Sequence, residues 1–299
     1  MSFSFSDFSA SLEGGHRITP EDVLAVRRAV WPDGRVSDAE AGTLFALNRL
    51  VREPSPEWRD FFIEAMTDYV VNQKAPRGYV DDANAAWLTA EVDRDGEPVS
   101  RLEVELVVKV IERALNCPAS LRGWALAQIE EAVVRGSKRV DAEECKLLRR
   151  LVFAPGGEGA LVVGADEAEV LWRLKDACVA SDNAPEWKIL FVQALGNHLM
   201  AYSSYKPLQR DEAVRLEAFV NDHRSSVGNF FSRLRGANPL AEAAKLFGET
   251  PRTDHEGALA AAEEITPDEQ SWLDGKVNAD GARDPYEEAL AAFVEAEKR

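Results

Sequence analysis

The sequence predicts an all-α protein: two duplicated helical lobes built from helix–loop–helix pairs, with degenerate EF-hand-like junctions. Three observations carry this. Helix starts with proline in the first helical position recur, apolar residues fall at helical spacing, and one helical segment is repeated. The proline starts are Thr19-Pro20, Ser55-Pro56, Ala184-Pro185, Thr266-Pro267 and Asp284-Pro285. Proline fits there because the N–H it lacks would have had no partner in the helix. Acidic residues follow at Glu21, Asp22, Glu57, Glu186, Asp268, Glu269, Glu287 and Glu288, which suits the positive end of a helix dipole. Leu44, Leu47, Leu50 and Val51 make one apolar stripe, and Trp58, Phe61, Phe62, Ala65, Met66 and Tyr69 another. The one short strand-like run, 160–163, reads as a loop or a helix edge.

Taken in order, residues 1–17 form a flexible N-terminus, 18–153 the first lobe and 154–299 the second. The repeat supports that division. Residues 56–65 read PEWRDFFIEA and residues 185–194 read PEWKILFVQA, an offset of 129. Glu40, Leu44, Phe45 and Leu47 fall on Glu167, Leu171, Trp172 and Leu174 at an offset of 127, and Leu88 and Val92 fall on Leu216 and Val220 at 128. The glycine-rich stretch APGGEGALVVGAD, residues 154–166, is the expected boundary. A linker is expected over 236–264 and a less ordered stretch over 203–206. The last helix, near 285–297, carries Tyr286, Leu290, Phe293 and Val294 on the face expected to dock.

The chain has 299 residues with 35 Lys and Arg against 52 Asp and Glu, a net charge of −17. That sign repels nucleic acid and anionic membranes, so neither is an expected partner. No run approaches the length of a membrane span, and MSFSFSDFSASLEGGH lacks the basic start and apolar block of a signal peptide. Cys117, Cys145 and Cys178 are odd in number and far apart, so the expected compartment is a reducing cytoplasm and the thiols are expected in the core.

A corner motif recurs between helical patterns. It reads Trp31-Pro-Asp33-Gly34-Arg-Val36-Ser37-Asp-Ala-Glu40, then Asp93-Arg-Asp95-Gly96-Glu-Pro-Val99-Ser100-Arg-Leu-Glu103. Degenerate forms follow at Gly136 to Glu144 and at Trp272 to Asn278. Asp33, Gly34 and Glu40 match the second half of a calcium loop, which needs early oxygen ligands, a glycine turn and a closing carboxylate. Ala29 and Trp31 supply no oxygen at the early positions. In the second corner Glu91, Asp93 and Asp95 alternate, but Glu103 arrives one residue late. Asp93, Asp95 and Glu103 are therefore the main candidate ligands for a divalent cation such as calcium, with Asp33 and Glu40 secondary. The structural reading of the same residues is helix capping: Ser37-x-x-Glu40, Ser100-x-x-Glu103 and Asp141-x-x-Glu144 have capping-box spacing. Val36, Val99, Val140 and Val277 would be apolar plugs between loops.

The DG-x-V-S-x-x-E signature, carried by Asp33, Gly34, Val36, Ser37 and Glu40 and again by Asp95, Gly96, Val99, Ser100 and Glu103, resembles the TerB-like (tellurite-resistance) family. That family includes the N-terminal region of a DnaJ-type co-chaperone. The resemblance implies a helical fold, a divalent-metal role and work as a stress-linked or membrane-surface scaffold.

Catalytic patterns are sparse. His16, His198, His223 and His255 form no HExxH motif and no acid–histidine pair at helical spacing, and there is no GxSxG, P-loop lysine or CxxC. Trp58 and Trp187 are repeat-equivalent anchors. The leading expectation is a non-enzymatic adaptor with a protein partner. The alternative is a calcium-binding protein through acidic DG loops. A third reading is a hydrolase with a carboxylate cluster in a cleft between lobes.

Overall fold

The computed structural model describes residues 4–32, 34–154, 163–200, 267–277 and 283–297. They form α1 (Phe5–Glu13), α2 (Pro20–Val30), α3 (Asp38–Leu50), α4 (Pro56–Asp68), α5 (Asp82–Val92), α6 (Arg101–Arg113), α7 (Ala119–Arg135), α8 (Ala142–Val152), α9 (Ala165–Cys178), α10 (Pro185–Met200), α11 (Pro267–Val277) and α12 (Pro285–Glu297). A π turn, Tyr69–Gln73, extends α4, and a 3-10 turn, Asp93–Asp95, ends α5. The fold is all-α. Among the described residues there is no sheet, only an isolated bridge between Tyr79 and Asn116. The described residues up to His198, with those of 283–297, fall in one compact unit; Leu199, Met200 and α11 fall in a second. Thus α9, α10 up to His198 and α12 share a unit with the helices that precede the expected boundary. Most of that boundary, the 160–163 run up to residue 162, and the stretches 203–206 and 236–264 lie outside the described residues.

The helices begin where the sequence places caps. Thr19, Ser37, Ser55, Asp81, Ser100 and Asp141 each accept a backbone N–H from their own first turn. In α2, α3, α6 and α8 an acid three residues on accepts the cap residue's N–H in return. Each such cap is worth about 1 kcal/mol. α9 starts on Gly164, so only the return bond is made, from Gly164 N–H to Glu167 Oε2 at 2.9 Å. α12 makes both: Asp284 Oδ1 accepts from the Glu287 N–H at 3.0 Å, and Glu287 Oε2 from the Asp284 N–H at 3.1 Å.

Two helical series make matching contacts. Val23, Val26 and Val30 of α2 are buried as Cys145, Leu148 and Val152 of α8 are. The Arg27 guanidinium lies 5.3 Å from the Trp31 ring, and that of Arg149 lies 6.0 Å from Phe153. Phe45 on α3 meets Phe62 on α4 at 5.4 Å, and Trp172 on α9 meets Phe191 on α10 at 5.6 Å. Trp58–Phe62 and Trp187–Phe191 are both 6.1 Å apart, although the first pair is stacked at 15° and the second meets edge-on at 63°. Leu102, Glu103, Leu106 and Val110 of α6 are buried, as are Tyr286, Glu287, Leu290 and Val294 of α12. α7 packs against α6, α8 and α9.

Val36 and Val140 are buried plugs, and Val99 is half-buried. The backbone N–H groups of Val36, Val140 and Val163 each donate at 2.8 Å to a side-chain amide, from Gln73, Asn183 and Asn197 respectively. The last expected corner takes another form. Asp274 and Gly275 lie inside α11, and Val277 is its last residue, buried. Gly275 is absent from the left-handed glycines, so the Asp-Gly pair continues the helix there.

Candidate functional site

The acidic corners are built around their own helix ends. At the first, Glu40 Oε2 accepts from both the Ser37 N–H and the Ser37 hydroxyl at 2.7 Å, and the Glu40 N–H returns to Ser37 Oγ at 3.3 Å. Asp33 lies outside the described residues. At the second, Glu103 Oε2 accepts from the Ser100 N–H at 3.0 Å and the Ser100 hydroxyl at 2.6 Å. Glu103 is 6% exposed, and its other oxygen faces inward, where Asn48 Nδ2 donates to it at 3.4 Å. Asp93 is exposed and accepts from the Trp124 indole N–H at 3.3 Å. Glu91 is buried and engaged by Arg94 and Arg49. Asp95 closes the 3-10 turn, and Gly96 follows with φ +70°. Gly34 has φ +77° at the first corner. Left-handed backbone favours glycine because it has no Cβ to clash, which accounts for glycine at both corners.

At the third corner Lys138 takes the left-handed position, with φ +52°, three residues before the cap Asp141. This corner keeps the cap and loses the early acids.

One carboxylate cluster went unread in the sequence. Among the described residues, a single group of three acids brings ligand oxygens within 4.8 Å of one another: Asp176, Asp284 and Glu287. The Lys175 ammonium fills it, 2.7 Å from Asp284 Oδ2 and 2.6 Å from both Glu287 Oε1 and Asp176 Oδ1. Lys175 is 2% exposed, and its Nζ also lies 4.7 Å from the Trp172 ring centre. Burial disfavours the ammonium, but the three carboxylates outweigh it and hold Lys175 above its usual value. Burial also works against ionised Asp284, yet the Lys175 bond keeps that carboxyl below its ordinary range. The legible signal was Asp284-Pro-Tyr-Glu287, which has capping-box spacing. A lone lysine in a helical pattern gave no sign of being interior.

A second buried pair joins Arg122 of α7 to Glu167 of α9. Nearby Cys117 is pushed up to about 11 by burial, and Cys145 to about 12. All three cysteines are buried, so they are core residues, poor in thiolate. His16 does meet an acid, Asp22, at 2.8 Å; the two are six residues apart, so helical spacing gave no hint of it. Asp22 is the capping acid of α2. His198 Nδ1 lies 2.9 Å from the Val163 carbonyl. His223 and His255 lie outside the described residues.

An open groove of about 860 Å³ runs along α4, α6 and the end of α8. Asp60, Glu64 and Asp68 line it from α4, and Lys109 and Arg113 from α6. Arg150, also lining it, is held by Glu112 through two 2.8 Å bonds.

Comparison of the chain with family models, with curated proteins and with solved structures returns no match. No helix among the described residues is long and apolar enough to cross a membrane.

Proposed function

We propose that the protein is a non-enzymatic helical adaptor that binds a protein partner, working in the stress-linked manner the TerB-like resemblance implies. On this reading the two matched helical series are copies of one ancestral bundle. One observation carries it: a capped, closely packed bundle keeps open a charged groove of about 860 Å³, within the size range of specific binding pockets. A scaffold of this kind presents a preformed surface, which limits the ordering cost of binding. The calcium reading has less support, because Glu40 and Glu103 would have to leave their caps to ligate an ion.

The test is affinity purification of the tagged full chain at native expression level, followed by size-exclusion chromatography. A stoichiometric protein co-eluting with the chain is the expected result. Elution alone overturns the reading, and so does turnover in a screen of common substrate classes.

A further inference from the structure

The groove lies along helices of the first series. The matched positions in the second series show what closes it. Thr67 and Lys109 line the groove; their counterparts, at offsets of 129 and 184, are Gly196 and Phe293. There the Phe293 ring lies so close to Gly196 that a Cβ on residue 196 would collide with it. The acid row is specific to the first series as well. Asp60, Glu64 and Asp68 correspond to the uncharged Ile189, Gln193 and Asn197.

The groove also carries unspent chemistry. Thr67 is 7% exposed and its hydroxyl has no hydrogen-bond partner, and the Trp31 indole N–H at the groove has none either. Buried polar groups in native proteins are nearly always satisfied, so two orphans just beneath one groove set this wall apart from the rest of the interior. Asp60 on the α4 side and Arg113 on the α6 side are exposed and make no ion pair in the structure, whereas Lys109 and Arg150 share Glu112 and Asp68 binds Asn72 and Gln73. The free charges are thus one of each sign, on facing helices.

We propose that this groove docks a partner's peptide segment bearing both charges, a Lys or Arg toward Asp60 and Glu64 and an Asp or Glu toward Arg113. The inference rests on the adaptor reading and names the surface and chemistry of its partner. A single-sign segment is disfavoured because one end of it would meet like charge.

The test is selection of random dodecapeptides displayed on phage against the immobilised full chain. Enriched peptides are then made with a fluorescent label and titrated by anisotropy. The expected result is enrichment of mixed-charge peptides whose binding weakens about tenfold or more in Asp60→Lys and in Arg113→Glu. Both residues are exposed and unpaired, so these variants keep the fold. The double variant Thr67→Gly/Lys109→Phe, which transplants the closed arrangement, is expected to abolish binding while circular dichroism stays unchanged. No enrichment, enrichment of one charge sign, or binding indifferent to the charge variants overturns the proposal. Peptides that bind but ignore those variants leave the adaptor reading standing, whereas a chain that captures no stoichiometric protein defeats the adaptor reading itself.

Discussion

Lys175 lies 127 positions beyond Asn48, the offset at which Glu40, Leu44 and Leu47 match Glu167, Leu171 and Leu174, and the two side chains wire the polar interior differently. Asn48 accepts the Trp58 indole N–H at 3.1 Å and donates to Glu103 Oε1. Lys175 donates to Glu287 Oε1, the counterpart of that oxygen, but has nothing to offer an indole N–H. The Trp187 indole nitrogen is accordingly buried without a partner. In both series a capping glutamate turns one oxygen to its own helix start and the other to this interior residue.

The two tryptophans should therefore respond unequally to loss of the indole nitrogen. Trp58→Phe strands Asn48 Oδ1 in the interior, whereas Trp187→Phe removes an unsatisfied group. Both leave similar voids. Urea denaturation should show Trp58→Phe less stable than Trp187→Phe by about 1–3 kcal/mol. Equal losses would contradict the assignment.

Removing Lys175 leaves Glu287, 4% exposed on its side chain, beside Asp284 with no cation between them. Lys175→Met should cost about 3–5 kcal/mol, the usual result of breaking one side of a buried ion pair. Lys175→Ala opens the carboxylate cage, and millimolar calcium should then raise its melting temperature more than that of the unaltered chain. A loss under 1 kcal/mol in chemical denaturation would count against the buried latch.

The Phe293 ring of α12 packs so tightly on Gly196 of α10 that a Cβ there would collide with it. Gly196→Ala should destabilise by about 1–3 kcal/mol through overpacking. Pairing it with Phe293→Ala should recover part of that loss, read as a positive coupling in a double-mutant cycle. Strict additivity would mean that the ring does not seat there.

Lys138 occupies left-handed backbone that costs a side-chain-bearing residue about 1 kcal/mol. Lys138→Gly should thus raise stability by up to that amount, despite glycine's greater freedom in the unfolded chain. A lower melting temperature for this variant would refute the argument.

Acid should unfold the protein in a narrow window. Asp284 and Glu112 sit below their ordinary values of 3.8 and 4.5: burial opposes their ionisation, but Lys175 and Arg150 more than offset it. A depressed carboxyl adds stability that is present above its ordinary value and is lost as pH falls through the folded value. Glu144, raised by burial, works in the opposite sense. Thermal melts across pH should show the pairs' contribution declining only below about pH 4.5. In Lys175→Met the decline should be shallower, and an identical profile would be the contrary result.

The helix starts were readable because capping is local: a Ser, Thr or Asp, an optional proline and an acid three residues on specify it within one turn. Ser37, Ser55, Ser100 and Asp284 all begin helices as their neighbours suggest. The Asp274-Gly275 pair shows the limit, since the same dipeptide sits inside α11. Long-range chemistry was not legible. Lys175 meets residues more than a hundred positions away, and no local pattern marks which lysine turns inward. The groove was hidden for the same reason, because its lining joins Trp31, Thr67, Lys109 and Arg150 from distant parts of the chain.

The central claim is that the carboxylates of the recurring corners are spent on starting helices. Calcium titration of the full chain, followed by calorimetry and thermal melting, tests it most directly beside Glu103→Gln. Flat heats and an unchanged melting temperature at millimolar calcium are predicted, with Glu103→Gln less stable by about 1 kcal/mol whether or not the ion is present. Saturable heat with a rise in melting temperature that Glu103→Gln abolishes would contradict it.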